Sequence, residues 1–267
     1  YGNLSPERNG RVDIFYGRGA MDHRLRLPEA FAGLDRFRVH DAPFGGSFRG
    51  GGLGAMGLGD NVPWQRLPEF DLVLYTGIPY AAIGIDNCYA LPEYVKAGGA
   101  VFFTGGEWAF GKGGYLKTVL ERELLPVLCV EMDDCRTSDT PIAMTPGKDF
   151  AELGCPADFA AKPSFWVYNQ VLLKDDPGVK VFLTSDQGPV LVGWQLGKGR
   201  VACLLVDFRG KSNQDVTAFF NWADWPRLAA AVMRWLTPAA GTVEARPPGV
   251  SVAEAKELAD ELFGDAL

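Results

Sequence analysis

The stretch "AVFFTGGEWAFGKGGYLKT", residues 100–118, is the one on which the reading of this chain turns. Ala100-Val101-Phe102-Phe103-Thr104 is apolar almost throughout, as a strand is when both of its faces are buried in a parallel sheet. It runs straight into glycines: Gly105, Gly106, Gly111, Gly113 and Gly114. In open α/β sheets, ligands bind outside such carboxyl ends of the strands.

The flanking segments agree with a sheet of this kind. Arg11 to Gly17 reads as a strand ending in a glycine turn, Leu27 to Leu34 carries helical spacing, and Arg36 to His40 alternates as a half-buried strand. Phe70 to Gly77 reads as a third strand. A short helix over Leu91–Ala97 follows, with Pro92 in its first turn and Gly98-Gly99 at its end. Further on, Val179–Thr184, Val190–Trp194 and Arg200–Val206 read as strands, the last two joined by a hairpin turn at Leu196–Gly199. Arg227–Leu236 is a helix. Strands alternating with helices predict an α/β fold, flavodoxin-like, with a mainly parallel sheet flanked by helices. We expect one domain over residues 1–246. Residues 247–267 would be a linker plus a C-terminal amphipathic helix, opened by the Ser251/Glu254 capping box. Pro43 to Pro68 is glycine-rich and reads as a long irregular loop.

Composition excludes several functions. The chain of 267 residues has a formal net charge of -7, which leaves no basic face for nucleic acid or an anionic membrane. No apolar run is long enough for a membrane-spanning helix. The five cysteines are scattered without a CxxC pair, which favours reduced thiols, a cytoplasmic setting and no zinc. The chain starts at Tyr1 rather than Met, the mark of a trimmed, processed or partial sequence. Asn3-Leu4-Ser5 is a formal glycosylation sequon of little weight.

Two glycine motifs invite a nucleotide. Gly52-Leu53-Gly54-Ala55-Met56-Gly57 matches G-x-G-x-x-G, but it lacks the preceding strand and the following helix. Gly106 to Lys112 matches G-x4-G-K, yet residue 113 is Gly where a phosphate-binding loop needs the metal-binding hydroxyl. Neither supports a cofactor, and none is expected. His23 and His40 read as surface or capping residues, and the cysteines as structural. Two carboxylates remain. Glu107 lies just past one strand and Asp207 ends another. They are read either as caps of local backbone or as an acid–base pair.

The first four strands, the helix ending "YVKAGG" and the run "FFTGGEWAFGKGGYLKTVLERELLPV" resemble the glutamine amidotransferase-like domains of the class I superfamily. So do "GPVLVGWQLGKGRVACLLVD" and "NWADWPRLAAAVMRWL". The group the chain resembles is the putative glutamine amidotransferase family, over most of residues 11 to 238. Catalytic members place a cysteine at the elbow after a central strand, and His with Glu after a later one. Here those positions read Thr104-Gly105-Gly106-Glu107-Trp108-Ala109 and Val206-Asp207-Phe208-Arg209. The resemblance therefore implies a domain without glutaminase activity, serving as a ligand-binding or assembly module. Its pocket would lie among Gly77, Tyr80, Gly105, Gly106, Trp108 and Arg209, with Trp108, Tyr80 or Trp64 available to stack on a sugar or other ring. A carbohydrate-related hydrolase using Glu107 and Asp207 is the alternative. A third reading is an oligomeric scaffold, as a homo-oligomer or part of a larger multidomain chain.

Overall fold

The computed structural model describes residues 11–19, 22–32, 34, 37–43 and 62–238. The expected sequon, the 52–57 glycine motif and the 247–267 helix lie outside these residues. In chain order the strands are β1 (Val12–Arg18), β2 (Phe37–Pro43), β3 (Leu72–Thr76), β4 (Ala100–Thr104), β5 (Val127–Cys129), β6 (Cys135–Ala143), β7 (Thr145–Pro146), β8 (Pro163–Asn169), β9 (Val171–Leu173), β10 (Lys180–Ser185), β11 (Gly188–Leu196), β12 (Gly199–Leu204) and β13 (Thr217–Ala218). The α-helices are α1 (Leu27–Ala32), α2 (Tyr80–Ile83), α3 (Ile85–Lys96) and α4 (Trp225–Leu236).

The main sheet has the order β2-β1-β3-β4-β12-β11-β10-β7. From β2 to β12 all neighbours are parallel, and β11, β10 and β7 continue it antiparallel. This is the flavodoxin-like α/β arrangement with an antiparallel flank. β4 and β12 lie side by side at its centre, with Phe102 opposite Ala202 and Thr104 opposite Leu204. A small sheet β13-β8-β6 and a pair β5-β9 stand apart from it.

Strand alternation divides the core in two. Ile14, Leu72, Leu74, Phe102, Ala202 and Leu204 pack with α1 and α4 on one face. Phe15, Val73, Tyr75, Phe103, Val201 and Cys203 pack with α3 and the 115–125 segment on the other. Every residue of β3 and β4 is buried, as the apolar run at 100–104 predicts. On the second face Tyr75 stacks on Phe103 at 5.8 Å, Phe103 meets Tyr115 edge-on, and the Tyr115 hydroxyl donates to the Ile78 carbonyl at 2.5 Å.

Two sequence expectations change. The helix expected over Leu91–Ala97 begins at Ile85, so Pro92 lies inside it and not in its first turn. Cys88, Leu91, Pro92 and Val95 form one buried stripe at helical spacing, and their burial outweighs the backbone hydrogen bond that Pro92 cannot make. The strand content after residue 125 is also larger than the sequence suggested, because β5, β6, β8 and β9 were not read. The β11–β12 hairpin does turn at Gly197-Lys198, with Gly197 at φ +61°.

Trp225 locks α4 to the segment before α1. It is 2% exposed, packs edge-on against Phe219 at 4.9 Å and donates Nε1–H to the Leu25 carbonyl at 2.5 Å. Trp225→Ala is therefore expected to cost about 3–5 kcal/mol. Trp225→Phe, which leaves the carbonyl without its donor, should cost about 1–3 kcal/mol. Denaturant unfolding of both variants checks the order. A Phe variant as damaged as the Ala variant would put the hydrogen bond, not the packing, in charge.

Candidate functional site

The turn after β4 meets the turn after β12. Gly105 donates its N–H to the Leu204 carbonyl at 2.6 Å. A Cβ at residue 105 would stand 2.7 Å from Asn169 Oδ1 and 2.9 Å from the Leu205 carbonyl carbon, so no side chain fits there. Gly106 has φ +120°, and a Cβ on it would stand 2.3 Å from Asp207 Oδ2. Both glycines are set by what faces them.

The partner that holds this turn is Asn169, at the end of β8. Its Oδ1 accepts the Gly106 N–H at 2.7 Å, and its Nδ2 donates to the Gly106 carbonyl at 3.2 Å and to Asp134 Oδ1 at 3.0 Å. Asp134 is fully buried. It also accepts the N–H groups of Gly111 at 2.9 Å and Lys112 at 3.0 Å. The G-x4-G-K loop thus cradles an anion, as such loops do, but the anion is a carboxylate of its own chain. Burial pushes the Asp134 carboxyl up, and the donors from Asn169, Gly111 and Lys112 pull it back only in part.

Above this buried layer lies a charged cluster. Arg209 Nη2 is 3.2 Å from Asp207 Oδ2, and Nη1 is 3.4 Å from Glu107 Oε2. Lys112 Nζ reaches Glu107 Oε1 at 3.6 Å and Asp133 Oδ1 at 3.2 Å. Asp207 is 5% exposed. Burial raises its pKa, opposed by the Arg209 charge and by backbone N–H donors of Arg209 and Glu107. Arg209 Nη2 also donates to Cys135 Sγ at 3.7 Å, while its Nε and the Thr104 hydroxyl are buried without a partner.

The structure therefore brings Gly105, Gly106, Glu107, Asp207 and Arg209 together. Gly77 and Tyr80 belong to a neighbouring turn: the Tyr80 N–H donates to the Gly113 carbonyl at 2.8 Å, and no hydrogen bond or ion pair among the described residues ties Tyr80 to the charged cluster. Trp108 is half-buried, with its carbonyl where a Cβ of Gly113 would fall. Asn169, Asp134 and Cys135 escaped the sequence reading. The run Phe165-Trp166-Val167-Tyr168-Asn169 carries a strand signal, but nothing local reports that Asn169 reaches Gly106. Cys135 is the one cysteine at the cluster. Burial raises its thiol despite Arg209 and Lys112 nearby, and burial raises the Cys88 thiol to about 12. Among the described residues no three His, Cys, Asp or Glu side chains gather as a metal site, and no helix is long and apolar enough to cross a membrane.

Asp134→Asn removes a buried charge but turns an amide N–H₂ toward groups that themselves donate. The unsatisfied donors should win, at a cost of about 1–3 kcal/mol in denaturant unfolding. A variant as stable as the parent would show that the cradle does not depend on a carboxylate. Asp207 gives a pH test. Its folded pKa lies above its ordinary value, so its contribution is fully present when the carboxyl is protonated and falls as pH rises through that window. The stability of Asp207→Asn relative to the parent should then improve as pH rises above the ordinary aspartate value. A flat difference would overturn the buried-acid assignment.

Comparisons with known proteins fit this geometry. A family model described as "Putative glutamine amidotransferase" matches residues 81–238, more than half of the chain. The cytoplasmic protein STM3548 from Salmonella typhimurium superposes with a TM-score of 0.65 at 20% identity, covering 84% of this chain and 98% of that one. The cytoplasmic protein STM1381 from Salmonella typhimurium LT2 gives 0.58 at 17%, covering 85% and 99%. A ThuA-like protein from Parabacteroides merdae gives 0.54 at 11%, covering 88% and 92%. These likenesses are of fold. No curated protein matches the chain. The match over the elbow, the central strands and α4 places this chain in the putative glutamine amidotransferase family.

Proposed function

We propose that the chain is a glutamine amidotransferase-like domain without glutaminase activity, acting as a ligand-binding or assembly module. One observation carries the reading: where catalytic relatives need a side-chain nucleophile, Gly106 faces the Asp207 carboxylate with no room for a Cβ. The backbone donors of that turn are also engaged, Gly105 by Leu204 and Gly106 by Asn169. A glutamyl thioester forms from a thiolate activated by a base, and burial disfavours the thiolate of Cys135. Of the surface anticipated for a small-molecule or sugar ligand, Tyr80, Trp108 and Arg209 remain partly exposed. A cytoplasmic setting belongs to this reading, supported by five free cysteines.

Ammonia release from glutamine is expected to stay at the buffer rate for the purified protein. Gly106→Cys should not restore it, and should lower stability through the Asp207 clash. Glutamine turnover by the parent protein would end this reading.

The hydrolase reading keeps one supporting observation, the burial that raises the Asp207 carboxyl. Against it stands Arg209, which pairs with both Glu107 and Asp207 and opposes the rise at Asp207. Hydrolysis of chromogenic glycosides that is lost in both Glu107→Gln and Asp207→Asn, with the fold retained, would move the assignment there. The assembly half rests on an apolar patch. Leu128 and Leu172 are paired across β5 and β9, and they are 38% and 59% exposed. Light scattering should find an oligomer that Leu128→Ser with Leu172→Ser reduces to monomer. A monomeric parent protein would withdraw the assembly half.

A further inference from the structure

A second cavity is built where the segment after β1 meets the segment after β12, next along the chain from Arg209. A cavity of about 440 Å³ opens there, lined by Arg24, Arg26, Lys211, Ser212, Phe220 and Asn221. That volume suits a small metabolite. Both segments leave the carboxyl ends of parallel strands, the end of an α/β sheet at which ligands bind.

The wall is positively charged, in a chain whose formal net charge is -7. Arg26 is held in place: its Nε and Nη2 pair with Glu29, and its Nη1 lies 3.5 Å from the carbonyls of both Phe220 and Trp222. It adopts φ +50°, a conformation that costs a non-glycine residue energy and recurs at functional sites. Its charge is balanced by Glu29. Arg24 and Lys211 differ, because among the described residues neither is paired with a carboxylate. Among the described residues, two cations without a carboxylate partner therefore face one cavity. Ser212 Oγ accepts the Ala218 N–H and the Asn221 amide, each at 3.0 Å, which leaves its own O–H to donate. Gly210 sets the turn at φ +130°, where a Cβ would strike the Trp166 ring at 2.2 Å. Phe220 supplies an apolar floor.

We propose that this cavity binds a small phosphomonoester, with Arg24, Lys211 and the Ser212 hydroxyl on the phosphate and the organic part over Phe220. A phosphomonoester carries close to two negative charges at neutral pH, which matches the two unpaired cations, and guanidinium and ammonium groups are the usual phosphate partners. The assignment goes beyond the elbow reading and does not depend on it, so glutaminase activity would leave this site standing.

The test is calorimetric titration of the full chain with glucose 6-phosphate, inorganic phosphate and glucose at constant ionic strength. Glucose 6-phosphate should bind, inorganic phosphate should bind more weakly, and glucose should not bind. Arg24→Ala and Lys211→Ala should each weaken glucose 6-phosphate binding about tenfold or more. Melting of the ligand-free variants should stay at the parent temperature, since among the described residues neither side chain has a protein partner to lose. The proposal is overturned by equal binding of glucose, by affinity that neither variant alters, or by the absence of binding to both phosphate compounds.

Discussion

A buried carboxylate organises the centre of this molecule. Asp134 has no contact with water, and its charge is met by backbone N–H groups of the turn after β4 and by the amide of Asn169. Burying a carboxylate is expensive unless such donors surround it. Once they do, they can no longer move independently. Asn169 then grips Gly106 on both its N–H and its carbonyl, so the turn after β4 and the end of β8 are fixed as one unit. The charged surface cluster stands on that unit.

The same interaction shows what the nucleotide-like loop holds within its own chain. Glycine-rich turns present N–H groups because they lack Cβ atoms, and an anion gathers them. A chain can supply the anion itself. Lys112 follows suit: in place of a phosphate it meets Glu107 and Asp133, both acidic residues of its own neighbourhood.

Much of the fold was legible in the sequence because it depends on local pattern. The apolar run at 100–104, the alternating strand before His40 and the Gly197 hairpin each announce themselves within a few residues. The helix α3 was misjudged at its start, because Pro92 is a local stop signal that buried packing overrides. The site was legible only in its outline. Glu107 and Asp207 were found as strand-end carboxylates, and that both would pair with Arg209 follows from β4 and β12 being neighbours. Asn169 and Asp134 were invisible, since their roles are hydrogen bonds 63 and 23 residues away along the chain. Such bonds leave no periodicity behind.

The contact between Gly106 and Asp207 also limits how this chain can change. A nucleophile at residue 106 needs space that Asp207 occupies, and a shorter residue at 207 leaves Arg209 without its closer carboxylate partner. Either substitution alone disturbs a contact of the fold. A nucleophilic side chain at residue 106 therefore requires a change at residue 207 as well.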